Sequence, residues 1–176
     1  MTRTSSEWWG ETKRNDESLL AWLSDQYRGE VTAADRITEL RDRFAPAGSR
    51  AHRLLTTIAE QERRHARWVG ALLEARGRSA VVAEVRSRYW EAPLAAIADL
   101  ETGCAVGAHA EGMRLERIEA IAADAEAPAD VRAVFARILP EERFHERAFR
   151  SLASPEALAK TAGAHALGRE VLGLTP

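Results

Sequence analysis

The feature that most constrains this chain is a six-residue pattern that it uses twice. Residues 62–67 read ERRHAR and residues 142–147 read ERFHER, so both copies are Glu-Arg-x-His-x-Arg. The glutamate and the histidine stand three residues apart, a spacing that places both side chains on one face of an α-helix. Any fold for this chain must therefore accommodate two such polar pairs, 80 residues apart.

Both copies lie in long segments whose apolar residues recur at three- and four-residue intervals, the period of a helix. Four such segments span about residues 17–44, 49–75, 93–124 and 130–153. Asp16 and Asp130 are candidate N-caps, and Pro93 suits the start of a helix. No segment alternates polar and apolar residues for long enough to predict a strand. The sequence thus predicts an all-α protein.

The connections between these segments predict a four-helix bundle. FAPAGSR joins the first two helices and DAEAPAD joins the last two, and such short links favour antiparallel neighbours. The stretch from about 76 to 92 is longer and would cross the bundle. We expect a single domain over 1–176, with an N-terminal extension (1–16), two antiparallel hairpins joined by a crossover (17–153) and a short C-terminal helix (154–176) that opens at Ser154-Pro155.

Polar residues interrupt the apolar stripe of all four predicted helices. The second and fourth helices each contribute the glutamate and histidine of their repeated motif, and the first and third contribute one glutamate each. The six residues are Glu30, Glu62, His65, Glu111, Glu142 and His145. The bundle would therefore direct four carboxylates and two imidazoles toward one interior.

The cost of burying these groups points to bound metal. An uncompensated buried carboxylate costs several kcal/mol, on the order of magnitude known for buried ions, and four together also repel one another. Two divalent cations would balance four carboxylates, and neutral imidazoles would complete the ligand set. Oxygen and imidazole ligands without thiolate suit iron or manganese. Zinc sites usually take fewer carboxylates, and magnesium rarely takes histidine.

The spacing of the six residues supports the same interpretation independently. Glu30 precedes Glu62 by 32 residues, and Glu111 precedes Glu142 by 31 residues. Each half of the chain is therefore a predicted hairpin that supplies one glutamate and one Glu-x-x-His, and the halves form a pseudo-twofold repeat. Two alternatives to a metal site stay open: the residues occupy these helix-face positions by accident, or the bundle has lost an ancestral metal site.

Composition excludes several other classes of protein. The formal net charge of −2 predicts no strong attraction to nucleic acid or to an anionic membrane. Cys104 is the only cysteine, which excludes an intramolecular disulfide and a thiolate zinc or iron–sulfur site. The first 18 residues contain no apolar run, which argues against a signal peptide or membrane anchor. We expect a cytoplasmic protein.

These motifs resemble the ferritin-like di-iron carboxylate superfamily, which includes rubrerythrins and ferritins, over roughly residues 17–153. The resemblance implies two iron ions, or a manganese–iron pair, held by the six residues. Glu62 and Glu142 would bind both ions, Glu30 and Glu111 would be the more terminal carboxylates, and each ion would take one histidine. The chain lacks the cysteine cluster of a rubredoxin domain. It also has Arg114 where rubrerythrins often have a further glutamate.

A few further residues lie close to the predicted site. We interpret Glu146 as an ion-pair residue at the edge of the stripe, with a seventh metal ligand as the alternative. We interpret Gln26 as a polar residue at the border of the stripe, with a hydrogen bond to Glu30 as the alternative. We interpret Glu141 as a surface residue. Trp68 is interpreted as core packing rather than an electron relay. The small residues Gly103, Cys104, Gly107 and Ala108 indicate either close helix packing or a pocket that reaches the metals.

The resemblance predicts an oxidoreductase that activates O2 or peroxide to oxidise a small organic substrate. Such an enzyme needs an electron donor as a partner, and assembly with further copies of the chain is left open. One alternative is a ferroxidase or iron-storage protein, whose substrate is Fe(II). The other is a non-enzymatic helical bundle that contacts partners through Trp8 and Trp9.

Overall fold

The computed structural model describes residues 4–82 and 88–171, with the side chains of residues 88 and 171 excepted. Residues 83–87 of the predicted crossover, and the extreme termini, lie outside the described residues. The helices are α1 (Ser5–Thr12), α2 (Asp16–Phe44), α3 (Arg50–Glu74), α4 (Glu91–Ala95), α5 (Leu100–Ala123), α6 (Ala129–Leu152) and α7 (Pro155–Val171). The described ranges contain no strand, so the all-α prediction is confirmed. No helix in these ranges is both long and apolar enough to cross a membrane.

The predicted start of the third helix was wrong. It was expected from about residue 93, whereas α5 begins at Leu100. The Asp99 side chain accepts a hydrogen bond from the Thr102 backbone N–H, and the Thr102 hydroxyl accepts one from the Asp99 N–H. This capping box fixes the helix start because it satisfies donors that have no partner within the helix. Pro93 instead lies in the separate helix α4.

The two N-caps predicted from the sequence were also wrong, each by one or two residues. Asn15, not Asp16, caps α2, and its side chain accepts a hydrogen bond from the Ser18 N–H. Pro128 occupies the N-cap of α6, and Asp130 lies in the first turn. There its carboxylate pairs with Arg76, just after the C-terminal end of α3, at 2.8 Å. At α2 the neighbours Asn15 and Asp16 are both suitable caps, and the sequence pattern does not decide between them, whereas no side chain caps α6.

The helices pack as two hairpins, α2 against α3 and α5 against α6. Contacts of α3 with α6 and of α2 with α5 join the hairpins, while α7 packs on α5 and on α4. The short helix α1 packs on α5 and α2. Trp9 of α1 is 2% exposed, and its indole N–H donates to the Asp124 carboxylate at 2.7 Å.

Two apolar clusters fill the bundle, and the polar interruptions lie between them. One cluster contains Leu23, Leu73, Ile118 and Phe135, one residue from each main helix. The other contains Ile37, Ile58, Ala108 and Phe149, again one from each. Along every helix the interrupting glutamate stands between its residues of the first cluster and its residues of the second. The fold therefore encloses a polar layer with apolar packing above and below it.

Close contact between α5 and its neighbours depends on glycine. A Cβ atom at Gly107 would lie 2.8 Å from the ring of Phe149, which is 2% exposed. A Cβ at Gly103 would clash with the side chain of Leu40. Close helix packing, one of the two roles predicted for these small residues, is therefore observed.

Two alanine substitutions in α5 test this packing. Gly107→Ala should displace the Phe149 ring and destabilise the protein, whereas a Cβ at Gly112 meets no atom within 4 Å. Overpacking costs about 1–3 kcal/mol, and replacing an exposed helical glycine by alanine contributes up to about 1 kcal/mol. We expect urea unfolding in the presence of chelator to rank Gly112→Ala as at least as stable as the parent chain and Gly107→Ala as the least stable of the three. Equal stability of the two variants would contradict this account of the packing.

Candidate metal centre

The six predicted residues converge on the buried polar layer. Glu111 is 5% exposed and the other five have no exposed surface. Their candidate ligand atoms form two groups, and within each group all atoms lie within 4.8 Å of one another. The His65 group is Glu30, Glu62, His65 and Glu142, and the His145 group is Glu62, Glu111, Glu142 and His145. Glu62 and Glu142 belong to both groups, so each of these carboxylates could contact two ions.

The helical register explains how each motif delivers two side chains. Glu62 and His65 are one turn apart on α3, and the His65 Nδ1 lies 3.9 Å from the Glu62 Oε2. On α6, the His145 Nδ1 lies 3.5 Å from the Glu142 Oε2. Each histidine therefore shares a helix face with the glutamate that precedes it, as the sequence predicted.

Each histidine also faces the glutamate of the opposite motif. The His65 Nδ1 is 3.2 Å from the Glu142 Oε1, and the His145 Nδ1 is 3.2 Å from the Glu62 Oε1. The two imidazole centroids are 5.6 Å apart. Both Nδ1 atoms thus point into the layer, so that Nδ1 is the ring nitrogen available to a metal.

The other ring nitrogen of each histidine is held by the residue just before the opposite motif. The His65 Nε2 hydrogen-bonds to the Glu141 carboxylate at 2.8 Å, and the His145 Nε2 to the Gln61 side-chain oxygen at 3.0 Å. With Nδ1 free for a cation, Nε2 carries the proton and donates it in both bonds. Such outer hydrogen bonds fix the ring orientation and tautomer of a metal-binding histidine.

Glu141 was wrongly predicted to be a surface residue. It lies one position before Glu142, so its helix angle differs from that of the stripe, and the helical pattern alone places it outside. Arg64 pairs with the other Glu141 oxygen at 2.7 Å and holds the carboxylate beside His65. The equivalent position before Glu62 is Gln61. A comparison of the two motifs would have shown a hydrogen-bonding residue at this position in both.

Arg114 is the second residue whose role the sequence pattern did not reveal. It lies one turn after Glu111 on α5, and its side chain is 17% exposed. Its guanidinium contacts Glu30 directly through Nη2, and lies 3.5 Å from oxygens of Glu62 and Glu142. The Gln26 side chain donates to Glu30 at 2.8 Å, which agrees with the alternative interpretation of that residue.

The electrostatics of the layer depend on burial and on these contacts. Burial raises the pKa of Glu62 to about 7, and repulsion from Glu142 and Glu30 adds to it. Burial likewise raises the pKa of Glu111 well above its usual range. Burial opposes ionisation of Glu30 too. The Arg114 charge and the nearby His65 Nδ1 outweigh this effect and lower the pKa of Glu30 to about 2.

The two histidines are driven toward the charged form by the same carboxylates. Burial acts to lower the pKa of His65, but the Glu142 and Glu30 carboxylates beside its Nδ1 raise it to about 10. Burial also opposes the charged form of His145, whose pKa rises to about 9 through Glu142 and Glu62. The layer therefore has an excess of negative charge that favours cations, whether protons or metal ions.

The donor atoms of the layer fit a pair of metal ions. Several buried atoms of the six residues make no hydrogen bond of normal geometry to any described residue: Glu30 Oε2, Glu62 Oε1, His65 Nδ1, Glu111 Oε2, both oxygens of Glu142, and His145 Nδ1. Unsatisfied buried groups of this kind need a partner. Carboxylate and imidazole donors are the set expected for iron or manganese. Metal binding by these residues remains a prediction.

The remaining candidates lie outside the two groups. Glu146 accepts a hydrogen bond from Arg150 at 2.6 Å, which agrees with its interpretation as an ion-pair residue. Trp68 packs beside His65 with ring centroids 5.7 Å apart. His109 and His165 stack on each other at 5.0 Å.

A cavity reaches the layer from the side of α2 and α5. Its volume is about 200 Å³, and Glu111 and Arg114 form its inner wall. Trp22, Tyr89 and Trp90 also belong to the lining. A second, apolar cavity of about 70 Å³ shares Trp90 and Glu111 and is lined by Gly103 and Gly107. The small residues of α5 thus contribute to a pocket as well as to packing.

The outer hydrogen bonds to the histidines should tune metal affinity. We expect Glu141→Ala and Gln61→Ala each to weaken binding of one metal ion by about 10–100-fold, because the imidazole loses its orienting acceptor. Glu119→Ala is the control, since Glu119 pairs only with Arg143 among the described contacts and is exposed. Anaerobic titration with Mn(II) against a competing chelator measures the affinity. Affinities equal to that of the control in both variants would show that these bonds do not support a metal site.

Comparison with known proteins agrees with the arrangement of the site. The rubrerythrin family model matches residues 22–153, a range that contains all six residues of the layer. No curated protein and no solved structure matches the chain significantly. Because the matched range covers most of the chain and all four main helices, the chain belongs to the rubrerythrin family, within the ferritin-like di-iron carboxylate superfamily.

Proposed function

We propose that this protein is an oxidoreductase that uses two iron ions, or a manganese–iron pair, to oxidise a small organic substrate with O2 or peroxide. The observation that carries the proposal is the cavity of about 200 Å³ whose inner wall is Glu111 and Arg114. A buried metal site that meets a cavity of this kind can act on a molecule other than the metal itself. Ligand sites are commonly apolar cavities with a few polar groups at one end.

The residues of the layer have distinct roles in this proposal. Glu30 and His65 would hold one ion, Glu111 and His145 the other, and Glu62 and Glu142 both. When bound and reduced, such a metal pair supplies electrons to O2 or peroxide. The apolar clusters on both sides of the layer exclude bulk water. The Glu111 carboxylate lies at the cavity wall, so the ion that it would hold with His145 lies on the side of the layer that a substrate can approach.

The residues that line the cavity indicate which kind of substrate would fit it. Trp22, Tyr89 and Trp90 offer aromatic surfaces, which favour a flat apolar or aromatic molecule of modest size. Met113 adds an adaptable side chain to the same lining. The reaction also requires an electron donor, which we expect to be a separate protein or small molecule.

The structure gives less support to the two alternative functions. A ferroxidase acts on Fe(II) itself and needs no organic pocket, whereas the cavity that reaches the layer has aromatic residues, Trp22, Tyr89 and Trp90, in its lining. An interaction module was expected to use Trp8 and Trp9, but Trp9 is buried and its indole centroid lies 5.4 Å from that of Trp22. Trp9 therefore contributes to the bundle itself.

Metal analysis is the primary test. Protein purified without oxygen should contain about two irons per chain, the stoichiometry of a di-iron carboxylate site. Glu62→Ala should lose both ions because Glu62 belongs to both groups, while His145→Ala should lose at least one. Circular dichroism monitors folding, and Glu119→Ala serves as the control. Retention of two irons by the double variant of Glu62 and His145 would contradict the ligand set.

Filling the cavity separates an oxidase from a ferroxidase. Gly29 lines the cavity, and a Cβ there meets no atom within 4 Å, so the side chain of Gly29→Leu starts in open space and adds bulk at the cavity. We expect this variant to keep two irons but to lose at least tenfold in substrate-dependent O2 consumption, measured with indole as a small aromatic probe and a chemical reductant as the electron donor. Gly163→Leu is the matched control, because Gly163 also has open space and lies outside the cavity lining. Unchanged indole-dependent consumption in Gly29→Leu, with rapid oxidation of excess Fe(II), would favour the ferroxidase.

A further inference from the structure

Arg114 places a positive charge among the oxygens that a metal ion would use. Its guanidinium contacts Glu30 and lies 3.5 Å from oxygens of Glu62 and of Glu142. These are the three carboxylates of the His65 group. A guanidinium keeps its charge at every accessible pH, so it is a permanent cation in this position.

Arg114 contacts the His65 group more closely than the His145 group. Glu30 belongs only to the His65 group, and it is the carboxylate that Arg114 contacts most closely. Glu111 and His145 belong only to the His145 group, and no contact with Arg114 within 4 Å is found for either among the described ion pairs. A cation in the His65 group must therefore compete with the guanidinium for its oxygens, while a cation in the His145 group shares only Glu62 and Glu142 with it.

We propose that Arg114 is an internal counter-cation that makes the two metal positions unequal. The His145 group takes the first ion, and the His65 group takes a second ion at least tenfold more weakly, after the guanidinium has withdrawn from Glu30. This inference rests on the metal centre of the proposed function but not on its organic substrate.

The surroundings of Arg114 allow this withdrawal. Arg114 is one of the residues that line the cavity of about 200 Å³, so its side chain adjoins a volume into which it can turn. Charge balance gives the reason for movement. Four carboxylates are balanced by two divalent ions alone, and a retained guanidinium would leave one excess positive charge in a buried layer. In the absence of the second ion, the same guanidinium offsets the repulsion between Glu30, Glu62 and Glu142.

The test is anaerobic titration with Mn(II), followed by electron paramagnetic resonance of free and bound ions. The parent chain should bind two ions in two classes whose dissociation constants differ at least tenfold. His145→Ala should lose the tighter class and His65→Ala the weaker class. Loss of the tighter class in His65→Ala would overturn the proposal, and this comparison does not require any change at Arg114.

Variants of Arg114 then test the cause. Arg114→Gln removes the charge and should tighten the weaker class at least tenfold, whereas Arg114→Lys keeps a charge and should retain two unequal classes. Arg143→Gln is the control, because Arg143 is exposed and pairs with Glu119, away from the layer. If Arg114→Gln unfolds in chelator, Mn(II) added during refolding provides the competing cation. Equal classes in the parent chain, or equal tightening by Arg114→Gln and Arg114→Lys, would overturn the proposal.

These outcomes separate this inference from the proposed function. If the parent chain binds two ions with equal affinity, and Arg114→Gln does not change that affinity, the role of Arg114 is rejected and the metal centre is retained. Failure of every variant and of the parent chain to bind Mn(II) or iron would reject the metal centre, and this inference with it.

Discussion

The burial of four carboxylates in one apolar bundle is the constraint on which the rest of this structure depends. Glu30, Glu62 and Glu142 have no exposed surface, and Glu111 has almost none. Nothing in the surrounding core can solvate them, so cations must compensate their charge. The chain supplies one such cation itself, Arg114, and two imidazoles that take up protons readily. The remaining donors with no hydrogen-bond partner among the described residues face one another, which is the arrangement that a metal pair requires.

Much of the fold and the layer could be predicted because both follow from helical periodicity. The six residues could be found because they interrupt apolar stripes. An apolar stripe identifies the buried face of a helix even when the neighbouring helices are not known. The capping residues were missed because Asn15 and Asp16 are equally suited to the role. Glu141 and Arg114 were missed for a different reason. Their function depends on contacts across helices, with His65 and with Glu30, and no spacing within one helix reports such a contact.

The proposed reaction and the proposed role of Arg114 connect at the cavity beside α5. Glu111 and Arg114 both belong to the polar layer, and both line this cavity. A guanidinium that leaves Glu30 would enter the volume in which a substrate is expected to bind. Loading of the second ion and the shape of the pocket would then depend on one side chain. The rubrerythrin family assignment establishes the fold, while the chemistry proposed for this chain depends on such local departures.

The reciprocal hydrogen bonds of the two histidines have a mechanical consequence. Gln61 and Glu62 are adjacent on α3, and Glu141 and Glu142 are adjacent on α6, so each helix carries a shared carboxylate and the brace for the histidine of its partner. A slide of α3 along α6 by one residue, about 1.5 Å, would break both braces at once. The pair of helices is therefore cross-linked without covalent bonds. A displacement of Glu62 or Glu142 would therefore also move the neighbouring residue that holds the histidine of the opposite helix.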